Sequence, residues 1–304
     1  MIVVRLMGGL GNQMFQYATA YALAKRNNTE VKIDVTLLEQ NKKHAHEKVT
    51  HRELDLETFN LKLVFASQKE IDHFNGKVHN NLFGKIINKL GSFSRAKDLI
   101  LETGRGFNEH VLTLKDNKCL VGAWQSESYF SDLKEEIKKI FKFKMAIPES
   151  SKEIFDQINN VNSVCVNVRR GDYITSPIYS KNIGALQPTY YNSGINWMEE
   201  KLSSPHFYVF SDDVEWCTSN IVSKSPLHFI GHEHAGVKFN TYIQLMSKCK
   251  HFVISNSTFA WWAAYLGEKE YTNVIAPVKW SRSDEFFPKD IIPGRWIKME
   301  NSFE

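Results

Sequence analysis

The stretch "SVCVNVRRGDY", residues 163–173, decides how this chain folds. Its first half is a short apolar run bounded by charge, which reads as a strand buried on both faces. Such strands belong to parallel sheets covered by helices on either side. The second half sets Arg169, Arg170, Gly171 and Asp172 directly beyond the strand's carboxyl end. In an open parallel sheet, ligands bind in the crevice outside those carboxyl ends, so charge at this point faces a site and not a core.

Strand and helix patterns alternate on both sides of that stretch. The chain opens with the strand "IVVRLM" (2–7), the glycine turn "GGLGN" and the helix "QMFQYATAYALAKRNN" (13–28), with "VKIDV" as the next strand: a βαβ unit. From about 40 to 110 the pattern blurs, through "NKLGSFSRAKDL" and "ETGRGFNEH", and predicts loops and short helices on an acceptor-facing surface. The strand "NKCLVGAW" (117–124) and a helix over "SESYFSDLKEEIKKI" (126–140) follow. Pro148 in "KMAIPES" then breaks the pattern before the helix "SKEIFDQINN". Beyond "SVCVNV" come the helix "QPTYYNSGINWMEEKL", the strands "HFYVFS" and "PLHFI", and the helix "VKFNTYIQLMSKC". The strand "HFVIS", the helix "STFAWWAAYLG" and the strand "NVIAPV" complete the series. This alternation predicts doubly wound α/β domains spanning 1–148 and 149–304, with residues 285–304 free to return to the first.

Bulk composition agrees. A length of 304 residues suits two domains of ~150. With 42% hydrophobic and 24% charged residues, neither disorder nor a fibrous repeat is indicated. A net charge of +4 is spread along the chain, which fits an anionic small ligand and lacks the basic stripe of a nucleic-acid binder. The densest basic stretch, "KEEIKKIFKFK" (134–144), reads as a solvated amphipathic helix, with weak attraction to an anionic membrane as the other use. The longest apolar run, "FAWWAAYL", falls far short of the ~20 residues of a membrane span, and "MIVVRLMGG" lacks the layout of a signal peptide. The expectation is a cytoplasmic protein, at most peripheral at the inner face of a membrane. Cys119, Cys165, Cys217 and Cys249 stand singly and read as buried reduced thiols.

Four strand ends carry polar residues. Arg169 and Arg170 offer planar forks matched to phosphate oxygens, or else form a structural ion pair with Asp172; Gly171 lets backbone approach a ligand. In "FSDD" (210–213), Asp212 and Asp213 suit three uses: a helix cap, a carboxylate accepting from a nucleobase edge or ribose hydroxyl, or, last, a metal. "SNSTFAWW" (255–262) opens a helix with Ser255, Asn256, Ser257 and Thr258, whose hydroxyls and free N–H groups bind phosphate, while Trp261 and Trp262 read as core. "GGLGNQ" (8–13) has Gly9 and Gly11 but Met14 where a dinucleotide fingerprint needs its third glycine, so a nicotinamide cofactor is poorly supported. The turn still brings the amides of Asn12 and Gln13, with Gly11, to the top of the first sheet, as donor-site candidates within reach of sugar hydroxyls or a phosphate across the cleft. His44, His46 and His51, and His232 with His234, lack zinc-site spacing and read as surface loops.

Five motifs in order, "GGLGNQMFQYA", "GAWQSESYF", "VNVRRGDY", "FSDD" and "ISNSTFAWWAAYLG", resemble the inverting GDP-fucose-dependent α-1,2-fucosyltransferases of glycosyltransferase family eleven, over most of the chain. The resemblance implies a GT-B-like α/β fold, two Rossmann-like domains with parallel sheets facing across a cleft, the donor nucleotide held mainly by the second. It implies that Arg169 and Arg170 contact the diphosphate and that Ser257, Thr258 and Phe259 line the donor site. An aspartate of the "SDD" run would help hold the nucleoside, and Asn12 and Gln13, beside Gly11, would lie near the reacting centre. Asp172 is the nearest candidate for the proton acceptor or positions the arginines. Trp124 and Gln125 are the acceptor-side candidates. No cofactor or metal is expected. The implied reaction moves L-fucose from GDP-β-L-fucose to the 2-OH of a terminal galactose on an oligosaccharide or lipid-linked glycan. Fucosyl transfer to another linkage, α-1,6 or protein O-fucosylation, and a non-catalytic nucleotide-sugar-binding protein are the alternatives. The family usually reads H-x-R-R-G-D, and Asn167 stands at the histidine position, so no histidine base is found there. Asn167 can still hydrogen-bond a guanine or orient a neighbour.

Overall fold

A computed structural model describes residues 1–43, 52–75, 98–104, 106–283 and 288–304. His44, His46, His51 and most of "NKLGSFSRAKDL" lie outside the described residues. The chain divides into two compact units, Met1–Lys142 and Phe143–Glu304, each α/β with a wholly parallel sheet. The division falls a few residues ahead of the expected break at Pro148.

In the first unit, β1 (Ile2–Arg5), β2 (Val31–Asp34), β3 (Leu99–Leu101) and β4 (Lys118–Val121) stand in the order β2-β1-β4-β3. The helix Leu10–Arg26 begins at an extended Gly9 and ends with Lys25 and Arg26 in its last turn, where cations complement the helix dipole. Leu10, Met14, Phe15, Ala18, Ala22 and Leu23 are all buried, so tertiary packing, more than propensity, holds it. Two expectations are corrected here. The helix expected over 126–140 is continuous only at Lys134–Ile140; before it Ser126 caps a separate short turn by accepting from the Ser128 N–H, and Phe130 ends that turn. In addition, β3 is a three-residue edge strand, too short to show a period in the blurred region.

In the second unit the order is β10-β9-β8-β5-β6-β7, formed by β5 (Asn162–Val168), β6 (Pro205–Ser211), β7 (Leu227–Ile230), β8 (His251–Val253), β9 (Val274–Pro277) and β10 (Ile297–Met299). This is the Rossmann-like arrangement, in which the first strand of the unit is central and the order reverses beside it, between β5 and β8. β5 is buried along nearly its whole length, as its apolar run predicts. On one face Val164, Val166 and Val168 pack with Val209, Val253 and Ile275 under Tyr190, Tyr191, Ile195 and Met198 of the helix Pro188–Lys201. Burying an Ile or Met side chain of this kind contributes ~1.5–3 kcal/mol. Close approach makes Gly194 necessary, since a Cβ there would stand 2.7 Å from Val253 Cγ1. The helix Thr258–Gly267 is buried nearly all round, and Trp261 donates its indole N–H to the Ile291 carbonyl at 2.7 Å, so Trp261 and Trp262 are core residues as expected. The helix expected over 237–249 is regular only at Asn240–Met246, because Lys238 and Phe239 hold left-handed backbone angles (φ 53° and 61°) behind Gly236. The end of the chain stays with this unit: β10 pairs with β9, and Phe303 bridges to Leu186. All four cysteines are buried thiols. Among the described residues, no helix is long and apolar enough to cross a membrane.

Two histidines, buried His251 and half-buried His228, should make the fold acid-sensitive. His251 accepts at Nδ1 from the Asn273 N–H at 3.0 Å, and His228 stacks on Tyr208 with ring centroids 4.7 Å apart. Burial, with Lys250 for the former and His206 for the latter, lowers both below the ordinary histidine value. A depressed histidine pKa means that the unfolded chain binds the proton more readily. The contribution is therefore complete above pH ~6.5 and is lost as pH falls below it toward the folded-state values. We expect the thermal midpoint to fall between pH 7 and pH 5, and the fall to be shallower in a His228→Asn/His251→Asn variant. Equal slopes in both proteins would contradict the assignment.

Candidate active site

The carboxyl ends of β5, β6 and β8 adjoin at the point where the second sheet's order reverses, and the residues beyond them interlock. Arg169 Nη2 donates to Asp172 Oδ1 at 2.6 Å, its Nη1 stands 2.6 Å from Asp212 Oδ2, and its Cζ lies 5.6 Å from the centre of the Tyr173 ring. Tyr173 in turn donates to the Asn256 carbonyl at 3.1 Å, tying the turn after β5 to the loop after β8. Burial opposes the charge of Arg169, and Asp212 and Asp172 outweigh it, so its pKa is raised.

Arg170 is differently placed. Its Nε donates to Asp213 Oδ2 at 3.1 Å, its Nη1 donates to the Glu304 carboxylate, and its Cζ sits 3.9 Å over the Trp216 ring. Its own backbone N–H donates to Asp212 Oδ1 at 2.8 Å. Burial again opposes the charge, and Glu304 and Asp213 more than compensate. The side chain of Arg170 is 10% exposed, against 28% for Arg169. Arg170 is thus the more enclosed by surface area, and Arg169 is half-buried between two carboxylates.

The remaining candidates sort in the same way. Asp213 caps the helix Val214–Asn220 by accepting from the Trp216 N–H at 3.1 Å, which is the cap reading of "FSDD" combined with an arginine bridge. Gly171 has a role other than ligand approach: a Cβ there would stand 2.6 Å from Asp212 Oδ2, so the glycine makes room for that carboxylate. Asn167 is buried and accepts at Oδ1 from the Ser255 hydroxyl at 2.6 Å, so it orients a neighbour. Asn256 donates to the carbonyls of Gly184 and Trp280 at 3.1 and 3.0 Å, which makes it a strut. Ser257 is the N-cap of the helix Thr258–Gly267 without a side-chain capping bond, and Thr258 and Phe259 are half-buried beside it. His232 reaches the same edge: its Nε2 lies 3.0 Å from the Ser211 carbonyl, which can only accept, so Nε2 carries the proton.

In the first unit Gly11 is buried within the helix Leu10–Arg26. Gln13 is corrected from ligand contact to structure. Fully buried, it donates to the Gly8 and Glu53 carbonyls at 2.8 and 2.7 Å and accepts from the Asp55 N–H at 2.9 Å. Asn12 and Gln125, from motifs far apart in sequence, meet: Gln125 Nε2 donates to Asn12 Oδ1 at 2.9 Å. Trp124 is buried with a left-handed backbone (φ 55°), a conformation that costs a bulky L-residue roughly 1–2 kcal/mol. Glu102 holds it there, accepting from the backbone N–H groups of Ala123 at 2.6 Å and Trp124 at 3.0 Å. Burial raises the Glu102 pKa against the lowering effect of those two bonds.

Sequence reading missed Glu102, Tyr173, Trp216 and Glu304. Of these only Tyr173 lies within a motif, and nothing local marks the others.

The sequence profile described as glycosyl transferase family 11 matches residues 104–300. An α-1,2-colitosyltransferase of Escherichia coli is 33% identical over 305 residues, covering 98% of this chain and 99% of its own. The O-antigen biosynthesis glycosyltransferase WbnK of Escherichia coli is 31% identical across 90% of this chain and 93% of its own. Galactoside 2-α-L-fucosyltransferase Sec1 of Mus musculus is 28% identical across 88% of this chain and 64% of its own.

Proposed function

Since this chain belongs to glycosyltransferase family 11, we propose that it transfers L-fucose from GDP-β-L-fucose to the 2-OH of a terminal galactose in a glycan, inverting the anomeric centre. The observation that carries the reading is the half-buried guanidinium of Arg169 at the β5/β8 reversal, fixed by Asp172 and Asp212, on a turn that Tyr173 ties to the loop leading into the helix Thr258–Gly267. In the reaction the acceptor oxygen bonds to C1 of the sugar as the bond from C1 to the β-phosphate oxygen breaks. GDP leaves with the electron pair, and the acceptor hydroxyl gives up its proton to water or to an oxygen of the departing phosphate.

Negative charge builds on the β-phosphate, and Arg169 with the N–H groups of that helix start stabilises it. Asp172 positions Arg169. Asn167 sets the loop after β8 through Ser255. Asp212 and Asp213 are engaged with Arg169 and Arg170, so the donor is expected to bind without a metal, and GDP affinity should be the same in EDTA.

The relative of 33% identity, an α-1,2-colitosyltransferase, favours a second donor, a nucleotide-activated colitose, whose sugar is L-fucose without its 3-hydroxyl. A site that hydrogen-bonds that hydroxyl rejects the deoxy sugar strongly, whereas a site shaped for the deoxy sugar discriminates weakly. Incubation with each donor and lactose, followed by NMR assignment of the product linkage, tests both readings. Transfer from GDP-fucose to the galactose 2-OH is expected. Transfer of colitose alone would select the second reading, and an α-1,6 product or none would refute both.

A further inference from the structure

The order β2-β1-β4-β3 reverses between β1 and β4, so the crevice beyond the first sheet's carboxyl ends opens between the loops that follow those two strands. Asn12, in the first turn of the helix Leu10–Arg26 that follows β1, meets Gln125, on the loop that follows β4. Their mutual bond uses Asn12 Oδ1 and Gln125 Nε2. It leaves Asn12 Nδ2 and Gln125 Oε1 without a partner among the described residues. Both residues are half-buried. A donor beside an acceptor matches a hydroxyl, which needs both, and only half matches a phosphate or an ammonium group.

Gln125 is in place because of the residue before it. Trp124 turns the chain through a left-handed conformation, and both oxygens of Glu102 hold that turn by its N–H groups. Glu102 leaves the neighbouring strand β3 and reaches across Gly122, where a Cβ would stand 2.3 Å from Glu102 Cβ. Without a side chain at 122, the carboxylate lies flat on the loop.

We infer that Asn12 and Gln125 form a sugar-hydroxyl subsite in the first unit and that Glu102 is its positioning residue, locking the loop Gly122–Gln125 in register. The ligand is the hydroxyl edge of a pyranoside, the acceptor if the transferase reading above holds, on which this inference rests.

The test compares Glu102→Gln, Gly122→Ala, Gln125→Ala and the Glu102→Gln/Gln125→Ala double variant. Glu102→Gln keeps the shape and loses one of the two acceptors. The KM for lactose should rise roughly tenfold, the factor that loss of one such bond commands, while the KM for GDP-fucose stays within about twofold. Gly122→Ala displaces the intact carboxylate and should give the same split. The double variant should be no worse than Gln125→Ala alone, because one residue acts through the other. Additive effects, an equal rise in both KM values, or an unchanged lactose KM in a folded Glu102→Gln protein would overturn the inference. Saturation-transfer NMR with methyl β-D-galactoside, without donor, separates the two readings. A signal in the wild type that weakens in Gln125→Ala supports the subsite even if fucose is never transferred; no signal in the wild type overturns it.

Discussion

Arg169→Ala should lower turnover with GDP-fucose by roughly 10² to 10³, the loss typical when one preorganised donor to a developing anion is removed. The preorganisation is visible in its partners: Asp172 and Asp212 hold separate nitrogens at 2.6 Å, and the Tyr173 ring lies alongside. These carboxylates offset the charge of Arg169 and fix its direction. Little reorganisation is then needed when the phosphate becomes more negative. Arg169→Lys is the sharper variant. It keeps a cation between the two aspartates, so the fold survives, but an ammonium cannot hold both carboxylates and a phosphate oxygen in one plane. We expect it to recover only a small part of the loss, with thermal stability close to wild type. A lysine variant at near-full rate would remove Arg169 from the leaving-group role.

Arg170→Ala should act on stability before rate. Its guanidinium joins Asp213, Glu304 and the Trp216 face, and removing it leaves two carboxylates facing a gap. Breaking a well-buried pair costs ~3–5 kcal/mol. Because the Asp213 side chain is 37% exposed, solvent screening brings the figure down to roughly 2–3 kcal/mol. For 304 residues, that is a midpoint shift of about 3–5 °C. Measured well below its midpoint, the variant should keep kcat within about tenfold of wild type. If Arg170→Ala were instead as stable as wild type and as inactive as Arg169→Ala, the two arginines would share the diphosphate, as the resemblance alone implied.

The contrast between adjacent arginines shows how far sequence reading reaches. "RRGD" announced two guanidinium groups and a carboxylate at a strand end, and Asp172 does hold Arg169. No local pattern distinguishes the half-buried arginine from the more enclosed one, because the residues around Arg170, Asp213, Trp216 and Glu304, come from 43 to 134 positions away. Gln13 was misread for a related reason. An amide after a glycine turn looks available until the chain at Glu53 and Asp55 folds over it.

Alternation of apolar runs and helical periodicity was sufficient to establish two α/β units with parallel sheets, since burial on both faces and short connections admit few other arrangements. The same reading placed polar residues at the carboxyl ends of the strands, where the backbone leaves the sheet and side chains can meet a ligand. Tertiary structure alone decided strand order, and with it which ends adjoin: β5 with β8 in one unit, and β1 with β4 in the other. It also decided how fully each polar group is engaged, as with Gln13 against Asn12 and Arg170 against Arg169. Periodicity records how each residue faces its own element, and hydrogen-bond partners are set by contacts across loops, whose length the sequence shows but whose path it does not.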